Sequence, residues 1–350
     1  MSSTMLAGRL DLTTGTFGMQ EIPIPEPGPG EVRLKVEAAG ICLSDVHLID
    51  GTLPVKARRD FTQVTLGHEV AGVIDRLGPG VTPWQVGQRV LLHAGQVCGK
   101  CQPCLVRSGE CLRVQTRGVD YDGGWAEYAL ARQDTVAAVP EDLPIEQAAI
   151  LPDAVSTPYA ALLETAALRP AESVGLWGIG GLGAHAVQIA RLLGAAPILA
   201  FDLLPEARAR ALSFGADAAF DPREEDLRDK VRRATDGRGL DVAVDLAGVP
   251  AARAQAQALL GPRGRLVLVG VTPEALSVDN SLFFCTLMQQ VRGHYGSTMG
   301  HLLQLVKLTR HRRLELSRSI SALLPLADAP LGVERLAKKE GHPIRLILKP

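Results

Sequence analysis

The chain has 350 residues, enough for about two domains with separate cores. A formal net charge of −1 argues against nucleic acid or an anionic membrane as partner, and no apolar run reaches membrane-spanning length. Met1 to Gly15 lacks a signal-peptide apolar core, so the expected location is the cytoplasm, where six cysteines point to metal or redox chemistry before disulfides.

Pro23, Pro25, Pro27 and Pro29 form an extended lead-in to the first clear strand. From Glu31 to Ala38, Val32, Leu34, Val36 and Ala38 alternate with Arg33, Lys35 and Glu37, the period of a strand with one buried face. Gly40-Ile41-Cys42-Leu43-Ser44-Asp45-Val46-His47 follows, and after a loop Gly67-His68-Glu69. Cys42 and His68 offer a thiolate and an imidazole, two donors that Zn2+ prefers. Further short strands are expected at Val70–Leu77 and Gln88–Leu92, with Gly78-Pro79-Gly80 as the turn between them. The first half is thus mostly β, with its chemistry on loops.

Next comes Cys98-Gly99-Lys100-Cys101-Gln102-Pro103-Cys104, and then Cys111. Four thiolates at this spacing close a tetrahedral shell and leave no open position, which predicts a structural zinc stapling a lobe over about 95–113.

Near Pro152 the pattern changes. Strands expected at Val174–Trp177, Pro197–Phe201, Val242–Leu246, Arg265–Val269 and Val291–His294 alternate with helical stretches. The clearest helices are Ala184–Leu193 and Pro205–Phe214, with Gly215 placed to cap the second. This alternation predicts an α/β unit with a doubly wound parallel sheet. Gly178-Ile179-Gly180-Gly181-Leu182-Gly183 lies between its first strand and helix, and Asp202 ends the next strand about twenty residues on. Glycines let backbone amides and a helix N-terminus approach a pyrophosphate, while Asp202 can accept from ribose hydroxyls. Its charge repels a 2′-phosphate and Leu203 and Leu204 supply no cation, so NAD is expected over NADP.

Cys285, within Ser281-Leu282-Phe283-Phe284-Cys285, reads as a core thiol. A third ligand for Cys42 and His68 is therefore sought near the domain junction. Leu151-Pro152-Asp153-Ala154-Val155-Ser156-Thr157-Pro158-Tyr159 offers Asp153, and Cys, His and Asp together sum to a neutral site around Zn2+.

These motifs, in this order, resemble a zinc-dependent alcohol dehydrogenase of the medium-chain dehydrogenase/reductase family over nearly the whole chain. The resemblance implies a GroES-like, mostly β catalytic domain at 1–154 and 294–350, and a Rossmann NAD-binding domain at 155–293. It implies two zinc ions per subunit: a catalytic one on Cys42, His68 and Asp153, which Glu69 can approach, and a structural one on Cys98, Cys101, Cys104 and Cys111. By the same resemblance Asp45 orients the His68 ring, and Arg345 pairs with the cofactor phosphate. Gly178, Gly180, Gly181, Gly183, Asp202 and Val269 complete the cofactor set. Ser44 and His47 would relay the alcohol proton to solvent. Zinc lowers the pKa of water from 15.7 to about 7, roughly 12 kcal/mol. An alcohol gaining half of that exceeds the ~3–5 kcal/mol of a general base alone.

Two departures stand out. The spacing before Cys111 is one residue shorter than the family's commoner one, and Asp153 stands where other branches hold Cys. Ala94 occupies a place where the family often sets a bulky aromatic, which leaves room for bulky or secondary alcohols. The chain also lacks an insertion found in dimeric members, which favours a homotetramer. Three alternatives remain. A polyol dehydrogenase is one, although that branch usually has Glu in the junction motif. A zinc-free quinone or enoyl reductase is opposed by Cys42 with Gly67-His68-Glu69. In a non-catalytic zinc or nucleotide-binding protein, the Ser44 and His47 pair has no purpose.

Overall fold

The expected alternation at Glu31 becomes the strand Glu31–Ile41, which lies inside a seven-stranded sheet. Val32, Leu34, Val36 and Ala38 bury one face of it. The opposite face is less wet than its charges suggest. Arg33 is buried there, donating to Asp75 at 2.7 Å and Glu26 at 2.9 Å beneath the Tyr128 ring. The structure, a computed structural model, describes residues 3–53, 55, 61–106 and 111–350. Residues 107–110 of the expected cysteine lobe lie outside that set.

The chain divides into two units. The first comprises Met1–Ala154, Gly296–Arg312 and Leu316–Pro350. Its large sheet runs in the order Val136–Ala138, Arg89–Leu92, Val70–Leu77, Glu31–Ile41, Arg345–Lys349 and Ile320–Pro325, with Tyr128–Arg132 also paired to Glu31–Ile41. Thr4–Asp11, Phe17–Pro23 and Gln63–Thr65 make a smaller sheet. Register decides what meets at the end of the central strand. Ile41 pairs with Leu346 and Ala39 with Val70, both antiparallel. One residue further along each pairing, Cys42 meets Arg345 and Gly40 meets Glu69, where the Gly40 N–H donates to the Glu69 carbonyl at 2.8 Å.

The second unit, Val155–Tyr295 with Arg313–Glu315, holds a six-stranded parallel sheet. Its order is Ala218–Phe220, Ile198–Phe201, Val174–Trp177, Leu240–Asp245, Leu260–Leu268 and Gln290–Gly293. The helix Pro205–Phe214 ends as expected at Gly215, whose φ of 106° suits only glycine without strain. Trp177 and Phe201 stack with centroids 4.0 Å apart in the core. Cys285 corrects an expectation: it is exposed, not a core thiol. Its segment forms the short helix Ser281–Thr286, which leads into the outermost strand, and Leu282 and Phe283 beside it are also exposed.

Candidate metal centres and cofactor cradle

The helix Leu43–Ile49 starts one residue after Cys42, and its first turn explains why Asp45 stands there. The Asp45 carboxylate accepts the Cys42 N–H at 2.9 Å, satisfying a helix-end donor. Its other oxygen lies 3.5 Å from His68 Nδ1. That leaves His68 Nε2 to face Asp153 Oδ2 at 3.4 Å, and Cys42 Sγ lies 3.3 Å from the same oxygen. All three donors, Cys42, His68 and Asp153, belong to the first unit and fall within 4.8 Å of one another. A tetrahedral Zn2+ with ordinary Zn–S, Zn–N and Zn–O bonds holds such pairs about 3.3–3.5 Å apart. The donor set and its spacing therefore fit zinc.

Two further charged groups close the site. Glu69 is fully buried; its Oε1 accepts the Ala154 N–H at 2.8 Å and Arg345 Nε at 3.1 Å. Its Oε2 sits over Gly40 with no hydrogen-bond partner, an orphaned acceptor of the kind a cation satisfies. Burial pushes the Glu69 carboxyl up to about 7, although Arg345 opposes the shift. For His68, burial works against the charge, but Asp45 and then Asp153 outweigh it and hold the imidazole well above its usual range. Arg345 has its guanidinium 3.3 Å from Asp153 Oδ2 and 3.5 Å from Cys42 Sγ.

The lobe brings its four cysteines together. Cys101 Sγ stands 3.4 Å from Cys104 Sγ and 3.9 Å from Cys111 Sγ, against about 3.8 Å between thiolates on one zinc. Backbone N–H groups of Lys100 and Cys101 pull the Cys98 thiol down to about 6, whereas Cys101 beside it pushes Cys104 up to about 12. Four thiolates so close would repel one another without a cation among them, so this site too fits zinc.

In the second unit the turn begins at Gly178, with φ at 88°, and a Cβ on Gly183 would fall 2.0 Å from the Gly178 carbonyl oxygen. Above Gly180 the space is open, the clearance that a pyrophosphate needs at the start of the helix Gly183–Leu192. Gly181 completes the turn. Asp202 accepts the Ile179 N–H at 2.7 Å and the Leu204 N–H at 2.9 Å, which fixes its carboxylate beside the turn. These residues fit a dinucleotide.

Two family models cover most of the chain: an alcohol dehydrogenase GroES-like domain over residues 28–141 and a zinc-binding dehydrogenase model over 181–310. An alcohol dehydrogenase of Rhizobium meliloti is 40% identical across 81% of this chain and 80% of its own length. The chain belongs to the zinc-binding dehydrogenases. An L-threonine 3-dehydrogenase of Pyrococcus abyssi is 35% identical over 86% of this chain and 85% of that one. Acetophenone reductase of Geotrichum candidum, solved with NAD, superimposes with a TM-score of 0.87 at 26% identity, covering 100% of this chain and 98% of that one.

Within this zinc-binding dehydrogenase the remaining expected residues fall as follows. Ser44 and His47 are both half-buried on the helix Leu43–Ile49. Val269 follows the strand Leu260–Leu268 and donates to the Asp245 carbonyl at 2.9 Å. Sequence reasoning missed Trp125 and what two glycines are for. The indole N–H donates to the Gly40 carbonyl at 2.9 Å, and a Cβ on Gly67 would lie 2.2 Å from that indole. The Gly-His-Glu motif itself was the available signal, since a glycine before a ligand often marks a close approach.

Proposed function

We propose that this chain oxidises alcohols, leaning to secondary or bulky ones, with NAD+ and reduces the matching carbonyl compounds with NADH. The observation that carries this reading is the trio Cys42, His68 and Asp153 at zinc spacing in the first unit; the second unit separately carries the cofactor cradle at Gly178–Gly183 and Asp202. Cys42, His68 and Asp153 would hold Zn2+, which would supply a Lewis acid for the alcohol oxygen, and the Gly178–Gly183 turn with Asp202 would hold NAD as the hydride acceptor. Asp45 faces His68 Nδ1 at 3.5 Å, and Nε2, turned toward Asp153, would be the ligand atom. Ser44 Oγ would take the alcohol proton as it hands its own on through the nicotinamide ribose to His47, which would release it to solvent. Glu69 and Arg345 balance the charge around the ligands.

Ala94 supports the substrate class, because a methyl leaves room that an aromatic ring would fill. Two of the relatives carry names pointing the same way, one acting at the 3-position of L-threonine and the other on acetophenone, whose reduction gives a secondary alcohol. For NAD over NADP the support is Asp202 followed by Leu203 and Leu204. Metal-replete protein assayed with an alcohol panel should give higher kcat/KM on cyclohexanol or 1-phenylethanol than on ethanol, and higher with NAD than with NADP. Ethanol as the best substrate, or equal use of both cofactors, would overturn the corresponding half of the reading. Sorbitol as the best substrate would move the chain to the polyol branch.

The second unit also supports self-association into the homotetramer expected above. Its outermost strand, Gln290–Gly293, has a free edge among the described residues. Leu276, Val278, Leu282, Phe283 and Met288 are exposed in the segment that precedes it.

A further inference from the structure

The parallel sheet of the second unit reverses its order between Val174–Trp177 and Leu240–Asp245, and sheets of this kind take ligands outside the carboxyl ends of the strands at that point. Asp202 and the glycine turn hold one side of the reversal. On the other side, at the end of Leu240–Asp245, sits a buried ion pair that the motifs leave unexplained.

Asp245 is fully buried and Arg253, on the helix Pro250–Ala258, nearly so. Asp245 Oδ1 accepts the N–H groups of Ala247 at 3.0 Å and Gly248 at 2.9 Å. Its Oδ2 accepts Arg253 Nε at 2.7 Å, and Arg253 Nη2 donates onward to the Gly270 carbonyl at 2.7 Å. One guanidinium thus ties the loop after Leu240–Asp245 to the loop after Leu260–Leu268. The loops have no slack. A Cβ on Gly270 would fall 2.1 Å from the Gly248 nitrogen, and one on Gly178 would fall 3.1 Å from Ala247. Any shift of the pair therefore reaches the backbone that borders the cradle.

A buried ion pair is a poor way to gain stability, because its desolvation offsets most of its attraction. Its use lies in specifying one geometry. We infer that Asp245 and Arg253 are positioning residues for the nicotinamide half of NAD: they fix the spacing between the 246–248 and 269–271 loops, which border the crevice where a dinucleotide's second half would lie in a sheet of this order. The adenosine half is held separately, by Asp202. This rests on the NAD reading above.

The test measures binding to the metal-replete full chain, with NADH followed by fluorescence and AMP by calorimetry. AMP samples only the adenosine half. Arg253→Leu should weaken NADH about tenfold, the scale of one displaced hydrogen-bonding partner, and leave AMP within about twofold. Arg253→Lys keeps the charge but cannot serve Asp245 and Gly270 together, so it should recover part of the loss and remain available if the Leu variant folds poorly. In turnover, the KM for NAD should rise more than kcat falls. Unchanged NADH binding, or equal loss of NADH and AMP, overturns the inference, the second result marking a merely structural pair. Wild-type protein that binds NADH but oxidises no alcohol would instead count against the proposed function and leave this inference standing.

Discussion

Asp153 Oδ2 is the one atom that both other candidate ligands face, at 3.3 and 3.4 Å, so the catalytic site depends on it more than on its half-exposed position suggests. Asp153→Ala should therefore lose the zinc of this site and keep that of the cysteine lobe, halving the metal content measured by mass spectrometry. Full retention would assign the third position to Glu69, whose Oε2 is unpartnered. The same cluster sets a pH dependence for metal-free protein. Glu69 is raised from 4.5 to about 7 by burial, and His68 is raised because Asp45 and Asp153 outweigh its burial. A raised folded pKa contributes stability that is complete below the unfolded value and is lost as pH climbs through the folded one. Urea denaturation of metal-free protein should thus show stability falling from about pH 4.5 upward through pH 7, with Glu69 and His68 contributing together. Zinc should flatten the slope, since ligation takes His68 neutral. Stability rising across that window would contradict the arrangement.

At the scale of elements, the site depends on strand register. Gly40 lies beside Glu69 in neighbouring strands, and a Cβ there would sit 1.9 Å from Glu69 Oε2 and 2.9 Å from its Cβ. Gly40→Ala should cost about 1–3 kcal/mol in denaturation midpoint analysis, as overpacking does, and should weaken zinc retention by displacing the carboxylate. A variant with unchanged stability and zinc would mean that Glu69 moves aside freely. The same register explains what could and could not be read from residues alone. The strand at Glu31 and the glycine turn at Gly178 were legible because their signals are local: an alternation, and a spacing of glycines before a helix. The four cysteines were legible for the same reason. Arg345 was not, because its place beside Cys42 comes from an antiparallel pairing between distant parts of the chain. Trp125 likewise acts on Gly40 and Gly67 through the fold, and an apolar run around Cys285 cannot say by itself whether it faces a core or an edge.

For the whole molecule that last ambiguity becomes a question of assembly. Leu282 and Phe283 are 67% and 59% exposed, and they stand next to a parallel sheet whose final strand keeps one edge unpaired among the described residues. An apolar patch beside an open strand edge is an aggregation hazard unless something covers it, and a second copy offers an identical edge that can pair with it across a two-fold axis. A charge at the centre of that face would then be desolvated on association, while in an isolated chain it would remain in water at little cost. Phe283→Glu should accordingly shift sedimentation velocity profiles from the proposed homotetramer to smaller species without reducing zinc content, because the cysteine lobe and the Cys42 site both lie in the other unit. If the variant sediments like the wild type, this face is not where the copies meet. A parallel loss of zinc would instead show that the substitution had damaged the fold.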